Sequence, residues 1–174
     1  MCKKTEKLTD DKQNLLKVET QFDNCKKVLL EQDSLSTLEY AEWINNKAEL
    51  RYGIQNNNLI ILNNQIYWAH LGINIGSEQD YDRPVLVVRT TKESTVCVIL
   101  PLTLERLNDG IPYHVDLENG KSTVLVEQIR TISKDRIYNY QYEKQRYATI
   151  TDEDWKKLNI QLENLYRLKP LFKK

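Results

Sequence analysis

Residues 76–88 read GSEQDYDRPVLVV. Glu78, Gln79, Asp80, Asp82 and Arg83 crowd one short polar turn, directly before an apolar run of strand character. An Arg–Pro step at that junction pins a permanent cation to the mouth of a core strand. The rest of the chemical inventory is defined by what it lacks. Only two histidines are present, His70 and His114. There is no CxxC pair and no carboxylate cluster with metal-ligand spacing, so no metal site and no cofactor are expected. No glycine-rich loop opens a helix to cradle a phosphate, and no GxSxG turn or Cys/His arrangement supplies a nucleophile. Catalysis by this chain would have to be done with Arg, Glu, Gln and Thr.

RNA cleavage suits that inventory, because RNA carries its own nucleophile. The 2′-hydroxyl attacks the adjacent phosphorus, so neither a metal nor a covalent intermediate is required. The protein must supply donors aimed at the charge that builds on the phosphoryl oxygens, and groups that move two protons. The planar fork of an arginine can hold two phosphate oxygens at once. Arginine is effectively always protonated, so a nearby glutamate is the easier proton acceptor.

These side chains need a frame. At 174 residues, with 40% hydrophobic and 29% charged residues, the chain is long enough for one domain, or one domain plus an extension. The formal net charge is zero, which argues against a general electrostatic nucleic-acid binder and leaves room for a local basic groove. The opening MCKKTEKLTDDKQ lacks an apolar run, so a secretory leader is not expected. No window approaches a membrane span. Cys2, Cys25 and Cys97 are odd in number and widely spaced, which fits a reducing cytoplasm.

Residues 1–58 read as a helical extension and residues 59–174 as the main domain. Leu15, Val18, Phe22, Cys25 and Leu29 alternate spacings of three and four, the mark of an amphipathic helix. A second helix is predicted from Ser36, capped by that serine with Glu39 reaching back. Leu38, Trp43, Ile44 and Ala48 are offered to a partner surface, and Gly53 gives the stop. Residues 59–64 fit either a short strand or a connector. From Gln65 the period becomes strand-like, with strands predicted at 66–71, 84–88, 96–100, 114–117 and 124–129, and a further one at 146–150. Asn119–Gly120 signals a hairpin. Thr151 caps a final helix to residue 168, with Trp155, Leu158, Leu162 and Leu165 on its apolar face. The pattern is that of an α+β chain: a small half-open barrel or strongly twisted sheet with a packing helix.

The segments IYWAHLG (66–72), GSEQ (76–79), RPVLVV (83–88), VILPLT (98–103) and VEQIRTI (126–132) can be read together. In order and spacing, from about residue 65 to 168, they resemble the MazF/PemK family of toxin endoribonucleases. That resemblance implies a small, mostly antiparallel SH3-like β-barrel of the MazF/CcdB type with a C-terminal helix, here preceded by the helical hairpin. It implies a cytoplasmic homodimer without a cofactor, and sequence-selective, metal-independent cleavage of single-stranded RNA to a 2′,3′-cyclic phosphate and a 5′-hydroxyl. A cognate antitoxin protein would block the RNA groove. Carried over by position, Arg83 is the essential arginine, Thr103 its partner at a strand end, and Ser77, Glu78 and Gln79 the RNA-contacting turn. Glu127 fills the acidic position used as a base in the PemK branch. Leu125 stands where that branch has an arginine, which brings the chain closer to the MazF branch. Gln128 and Arg130 are RNA-binding candidates. Leu104 replaces a usual serine, Asn63–Asn64–Gln65 replaces the usual Arg-Gly-Asp, and the N-terminal hairpin is an addition.

Plainer readings stand beside these. Arg83 can form a structural ion pair with Asp82 or Glu78. Glu127, Gln128 and Arg130 are placed in one predicted strand, with 128 and 130 on the face opposite 127. His70 and His114 read as half-exposed strand residues and Cys97 as a small core hydrophobe. Tyr138, Tyr140 and Tyr142, with Lys144 and Arg146, fit either a covered sheet edge or a base-stacking platform. From another class, the same barrel suits a non-catalytic binding protein, including a gyrase poison.

Overall fold

The computed structural model describes residues 7–53, 59–140 and 149–167. The chain divides into two compact units, Met1–Asn46 and Lys47–Lys174.

Helix α1 (Lys12–Leu29) starts from Asp11, whose carboxylate accepts from the Asn14 amide at 3.0 Å. Of its apolar stripe, Leu15, Val18, Cys25 and Leu29 are half-buried, while Phe22 is 60% exposed. Helix α2 (Ser34–Tyr52) begins earlier than expected. Its cap is Asp33 and not Ser36: the Ser36 amide donates to the Asp33 carboxylate at 2.9 Å, and the Ser36 hydroxyl bonds the other oxygen. The carboxylate sits at the positive end of the helix, where a full negative charge is favoured over a hydroxyl. The Ser36 side chain, then its amide, hold Asp33 below the usual carboxylate range. Trp43 and Ile44 are half-buried, whereas Leu38 and Ala48 are exposed. Gly53 ends the helix because a Cβ there would stand 2.6 Å from the Glu49 carbonyl oxygen. No residue of either helix is fully buried.

Among its described residues the second unit holds seven strands: β1 (Gln65–Gly72), β2 (Tyr81–Arg89), β3 (Val96–Thr103), β4 (His114–Asp116), β5 (Thr123–Leu125), β6 (Arg130–Ser133) and β7 (Ile137–Tyr140). They run β4-β5-β3-β2-β1-β7, and β6 also pairs with β3. Every strand pairing is antiparallel. Bulges at His70/Gly72, Trp68/Ala69 and Val87/Arg89 strengthen the twist, and the sheet curls without closing. One face packs Ile66, Leu86, Leu100, Leu102, Val124 and Val126 beneath Leu158 of α3 (Asp152–Tyr166). The other packs Tyr67, Ala69, Val85, Val87, Ile99 and Ile137, with Leu59 and Ile61 of the connector 59–64 against it.

Three strand expectations change. β2 starts before Pro84, and the proline is tolerated because the ladder to β3 begins only at Val85 opposite Pro101. The predicted strand 124–129 keeps only the end of β5 and then breaks into a 3₁₀ turn, Val126–Gln128, with β6 starting beyond it at Arg130. β5 pairs with Leu102 and Thr103, β6 with Val96–Ile99, along the same edge of β3. The register between them slips by three residues, the length of the turn. β7 is a strand that the hydrophobic pattern does not announce. Of the predicted strand 146–150, residues 146–148 lie outside the described residues, and Thr149 makes a single bridge to Gln65. Tyr142, Lys144 and Arg146 also lie outside them. The α3 cap is as expected: Thr151 and Asp154 form a reciprocal capping box. No helix among the described residues is long and apolar enough to cross a membrane.

Candidate active site

The polar turn 76–80 joins β1 to β2 between two left-handed residues, Gly76 (φ 65°) and Tyr81 (φ 58°). Glycine adopts that conformation freely, but a tyrosine does so only under constraint. Two residues on, Arg83 projects from β2 and is about a quarter exposed. Its Nε donates to the Asp80 carbonyl at 2.7 Å, and its Nη2 lies 3.5 Å from an Asp80 carboxylate oxygen. The ion-pair partner is therefore Asp80, not Asp82 or Glu78. Alternation along the strand explains this, since Asp82 must face the other way. There it meets His70 Nδ1 at 2.6 Å and accepts from the Tyr138 hydroxyl at 3.1 Å, with His70 stacked on Tyr138 at 4.3 Å. Burial, then the Asp82 charge, push the Tyr138 phenol up to about 12.

Thr103 ends β3. It is 5% exposed, and its hydroxyl accepts from the Glu105 amide at 3.2 Å. Val85 opposite Pro101 is the last ladder pair. Arg83 and Thr103 each lie two residues beyond that pair, on β2 and β3. Both side chains fall on the Val85 and Ile99 face of the sheet. Arg130, opposite Ile99 at the start of β6, falls on the same face.

Gln128 and Arg130 reach the turn directly. The Gln79 amide donates to Gln128 Oε1 at 3.2 Å, Gln128 Nε2 donates to the Ser77 carbonyl at 3.2 Å, and Arg130 Nη2 donates to the Gln79 carbonyl at 3.0 Å. Asn74 adds a second donor to that carbonyl at 2.8 Å. Burial draws Arg130 below the ordinary arginine value, and the neighbouring Glu78 and Asp80 carboxylates oppose the shift. The Gln79 side-chain oxygen is buried without a hydrogen-bond partner. Ser77 and Glu78 are exposed on the turn.

Glu127 points elsewhere. In a 3₁₀ turn, successive side chains diverge by about 120°, so Glu127 leaves the path of Gln128 and meets His114 Nε2 at 3.2 Å. His114 also contacts Asp109 through Nδ1 at 2.7 Å, and its side chain is 7% exposed, more enclosed than a half-exposed strand residue. One Glu127 oxygen is buried and unpaired. The Ile111 amide, foremost, holds Asp109 below the usual carboxylate range. Burial and the Glu127 charge raise the Tyr166 phenol, whose hydroxyl donates to the Val126 carbonyl at 3.0 Å.

The structure thus gathers Ser77, Glu78, Gln79, Arg83, Gln128 and Arg130 around one turn, sets Thr103 on the same face, and turns Glu127 toward His114. Sequence reasoning passes over Asp80, Asn74 and Asp109. The only local signal for Asp80 is its spacing of three from Arg83, and nothing in the sequence singles out the other two.

A family model described as PemK-like, MazF-like toxin of type II toxin-antitoxin system matches residues 63–166. The chain is 32% identical over 88 residues to Endoribonuclease EndoA of Bacillus subtilis, covering 45% of this chain and 76% of that protein. It is 33% identical over 103 residues to Endoribonuclease MazF of Staphylococcus saprophyticus, covering 54% and 81%. Among solved structures, MazF from Deinococcus radiodurans superposes with a TM-score of 0.52 at 18% identity, covering 64% of this chain and all of that one. This last likeness concerns the fold.

Proposed function

Because the chain belongs to the PemK-like, MazF-like toxins of type II toxin–antitoxin systems, we propose that it is an endoribonuclease acting on single-stranded RNA in the cytoplasm. The toxin domain spans residues 59–174, with 1–58 as an added helical segment. Arg83 stabilises the charge that develops on the phosphoryl oxygens as the 2′-hydroxyl attacks. Thr103 orients the scissile phosphate. Of the two glutamates that could assist proton transfer, Glu78 lies on the turn near Arg83, whereas Glu127 is turned toward His114, so Glu78 takes that role. The products are a 2′,3′-cyclic phosphate and a 5′-hydroxyl. The working form is a homodimer, silenced by a cognate antitoxin that covers the RNA groove.

One observation supports the reading above the others. Arg83 is anchored to the Asp80 carbonyl by its inner nitrogen, and its outer fork carries only the longer Asp80 carboxylate contact at 3.5 Å, on the face of the sheet that also holds Thr103. A phosphate that displaces the Asp80 carboxylate can take up that fork while the inner nitrogen stays anchored. The test is to incubate purified full-length protein with single-stranded RNA in excess chelator and identify the product ends. Cleavage to cyclic phosphate ends is expected. A strict metal requirement, or 3′-hydroxyl ends, would overturn the chemistry, and intact RNA would favour a non-catalytic binding protein.

The arrangement also makes Asp80 a competitor. Its carboxylate occupies the position beside Arg83 Nη2 that a phosphate oxygen would take. Asp80→Asn keeps the backbone carbonyl and removes the charge. Partly exposed ion pairs are worth up to about 1 kcal/mol, so a gain of up to about fivefold in RNA affinity is expected. Fluorescence anisotropy with a 2′-O-methyl oligonucleotide measures it, and unchanged or weaker binding would refute the competition.

A further inference from the structure

We propose that Gln128 and Arg130 are positioning residues, which clamp the 76–80 turn to the sheet and thereby aim the Arg83 guanidinium. The proposal rests on the ribonuclease reading above. Among the described residues the turn has little backbone support of its own: one long bond, from the Glu78 amide to the Ile75 carbonyl at 3.4 Å. It leaves through Tyr81 in a conformation that L side chains rarely adopt, and it buries one unpaired oxygen on Gln79. Side chains from outside the turn must hold it in place.

They do so at one residue, Gln79, through the peptide group on each side of it. The Gln79 carbonyl receives Arg130 Nη2 and Asn74 Nδ2, and its amide is taken by Gln128 Oε1. The next carbonyl along, Asp80, is the acceptor for Arg83 Nε. A shift of the Gln79–Asp80 peptide is therefore passed through Asp80 to the adjoining carbonyl, and with it to the guanidinium. Both ends of the Gln128 amide are already in use, the second on the Ser77 carbonyl. Arg130 faces the underside of the turn from the rigid start of β6. These engagements are those of a brace and differ from what an RNA ligand would show.

The experiment compares full-length wild type with Gln128→Ala, Arg130→Ala, Arg130→Lys and Arg83→Ala. Three quantities are read: the single-turnover cleavage rate at saturating RNA, the affinity for a 2′-O-methyl oligonucleotide, and the salt dependence of that affinity. A misplacement of about 1 Å at a reacting centre can lower a rate about 100-fold, and a loss of that order is expected for Gln128→Ala and Arg130→Ala with affinity nearly unchanged. The salt slope should stay at its wild-type value. Arg130→Lys, which keeps one donor for the Gln79 carbonyl, should recover part of the rate. If instead Arg130→Ala lowers rate and affinity together and flattens the slope by about 0.7, the loss of one phosphate contact on a single strand, Arg130 is an RNA ligand and the clamp is refuted. Unchanged rates refute it also. Should Arg130→Ala fail to fold, Gln128→Ala and Arg130→Lys carry the same comparison. Wild type that leaves RNA intact overturns the ribonuclease reading itself. Active wild type, an inactive Arg83→Ala and unaffected clamp variants overturn only the clamp.

Discussion

Replacing Arg83 by alanine is expected to lower single-turnover RNA cleavage about 100- to 1000-fold, equivalent to about 2.7–4 kcal/mol of lost transition-state stabilisation. The fall should appear in the rate at saturating RNA more than in affinity, because the guanidinium matters most when charge has built up on the phosphoryl oxygens. Arg83→Lys separates charge from geometry. Lysine keeps the cation but cannot bond the Asp80 carbonyl and two phosphate oxygens together, so it should recover only a minor part of the rate. A variant lacking Arg83 that cleaves within about threefold of wild type would remove this residue from the chemistry, since a single preorganised donor is ordinarily worth far more.

The second large effect concerns stability. Asp154 is 2% exposed and does two jobs. One carboxylate oxygen accepts from the Thr151 amide at 3.1 Å, completing the capping box of α3. The other accepts from the Glu118 amide at 2.9 Å, tying that helix to the loop after β4. Thr151 strengthens the tie by donating its hydroxyl to Glu118 at 2.9 Å. Asp154→Ala takes the charged acceptor from two part-buried amides and leaves only the Thr151 half of the capping box, and hydrogen bonds to a charged group are worth about 1.5–3 kcal/mol each, so a loss of about 3–5 kcal/mol is expected. For a chain of this size that corresponds to a fall in Tm of about 10 °C. Urea unfolding of the full-length protein measures it, and a change below about 1 kcal/mol would mean the two bonds are replaced by solvent.

The cap of α3 is legible in the sequence because both of its partners lie within four residues, and local hydrogen bonding decides it. The start of α2 is less so. Asp33 and Ser36 are both good caps, and only the geometry shows the carboxylate taking the helix end. The position of Arg83 at the entrance of an apolar strand follows from an Arg–Pro step before VLVV. Its partner does not, because Glu78, Asp80 and Asp82 are all close in sequence, and the choice is made by which residues the strand turns to the same side. The path through VLVEQIR is not encoded locally. The run is uniformly β-compatible, and the reason for breaking it lies in β3, whose single edge must serve two partners in turn. That break decides the orientation of Glu127, Gln128 and Arg130. No local pattern could have predicted that Glu127 would meet a histidine 13 residues upstream while Gln128 reaches a turn 49 residues away.

The three-residue turn Val126–Gln128 sets a fixed length in the chain. β5 and β6 lie along one edge of β3 on either side of it. An extra or missing residue there would rotate every side chain of β6 to the opposite face. Arg130 and Ile132 would both leave the Val85 and Ile99 face, and the polar turn above β2 would lose its brace. The segment between β3 and β4 feeds only a short outer strand and has no such constraint. Variation in chain length among molecules built to this plan should therefore gather in that outer connection, while the small turn keeps its count of residues even where its composition drifts.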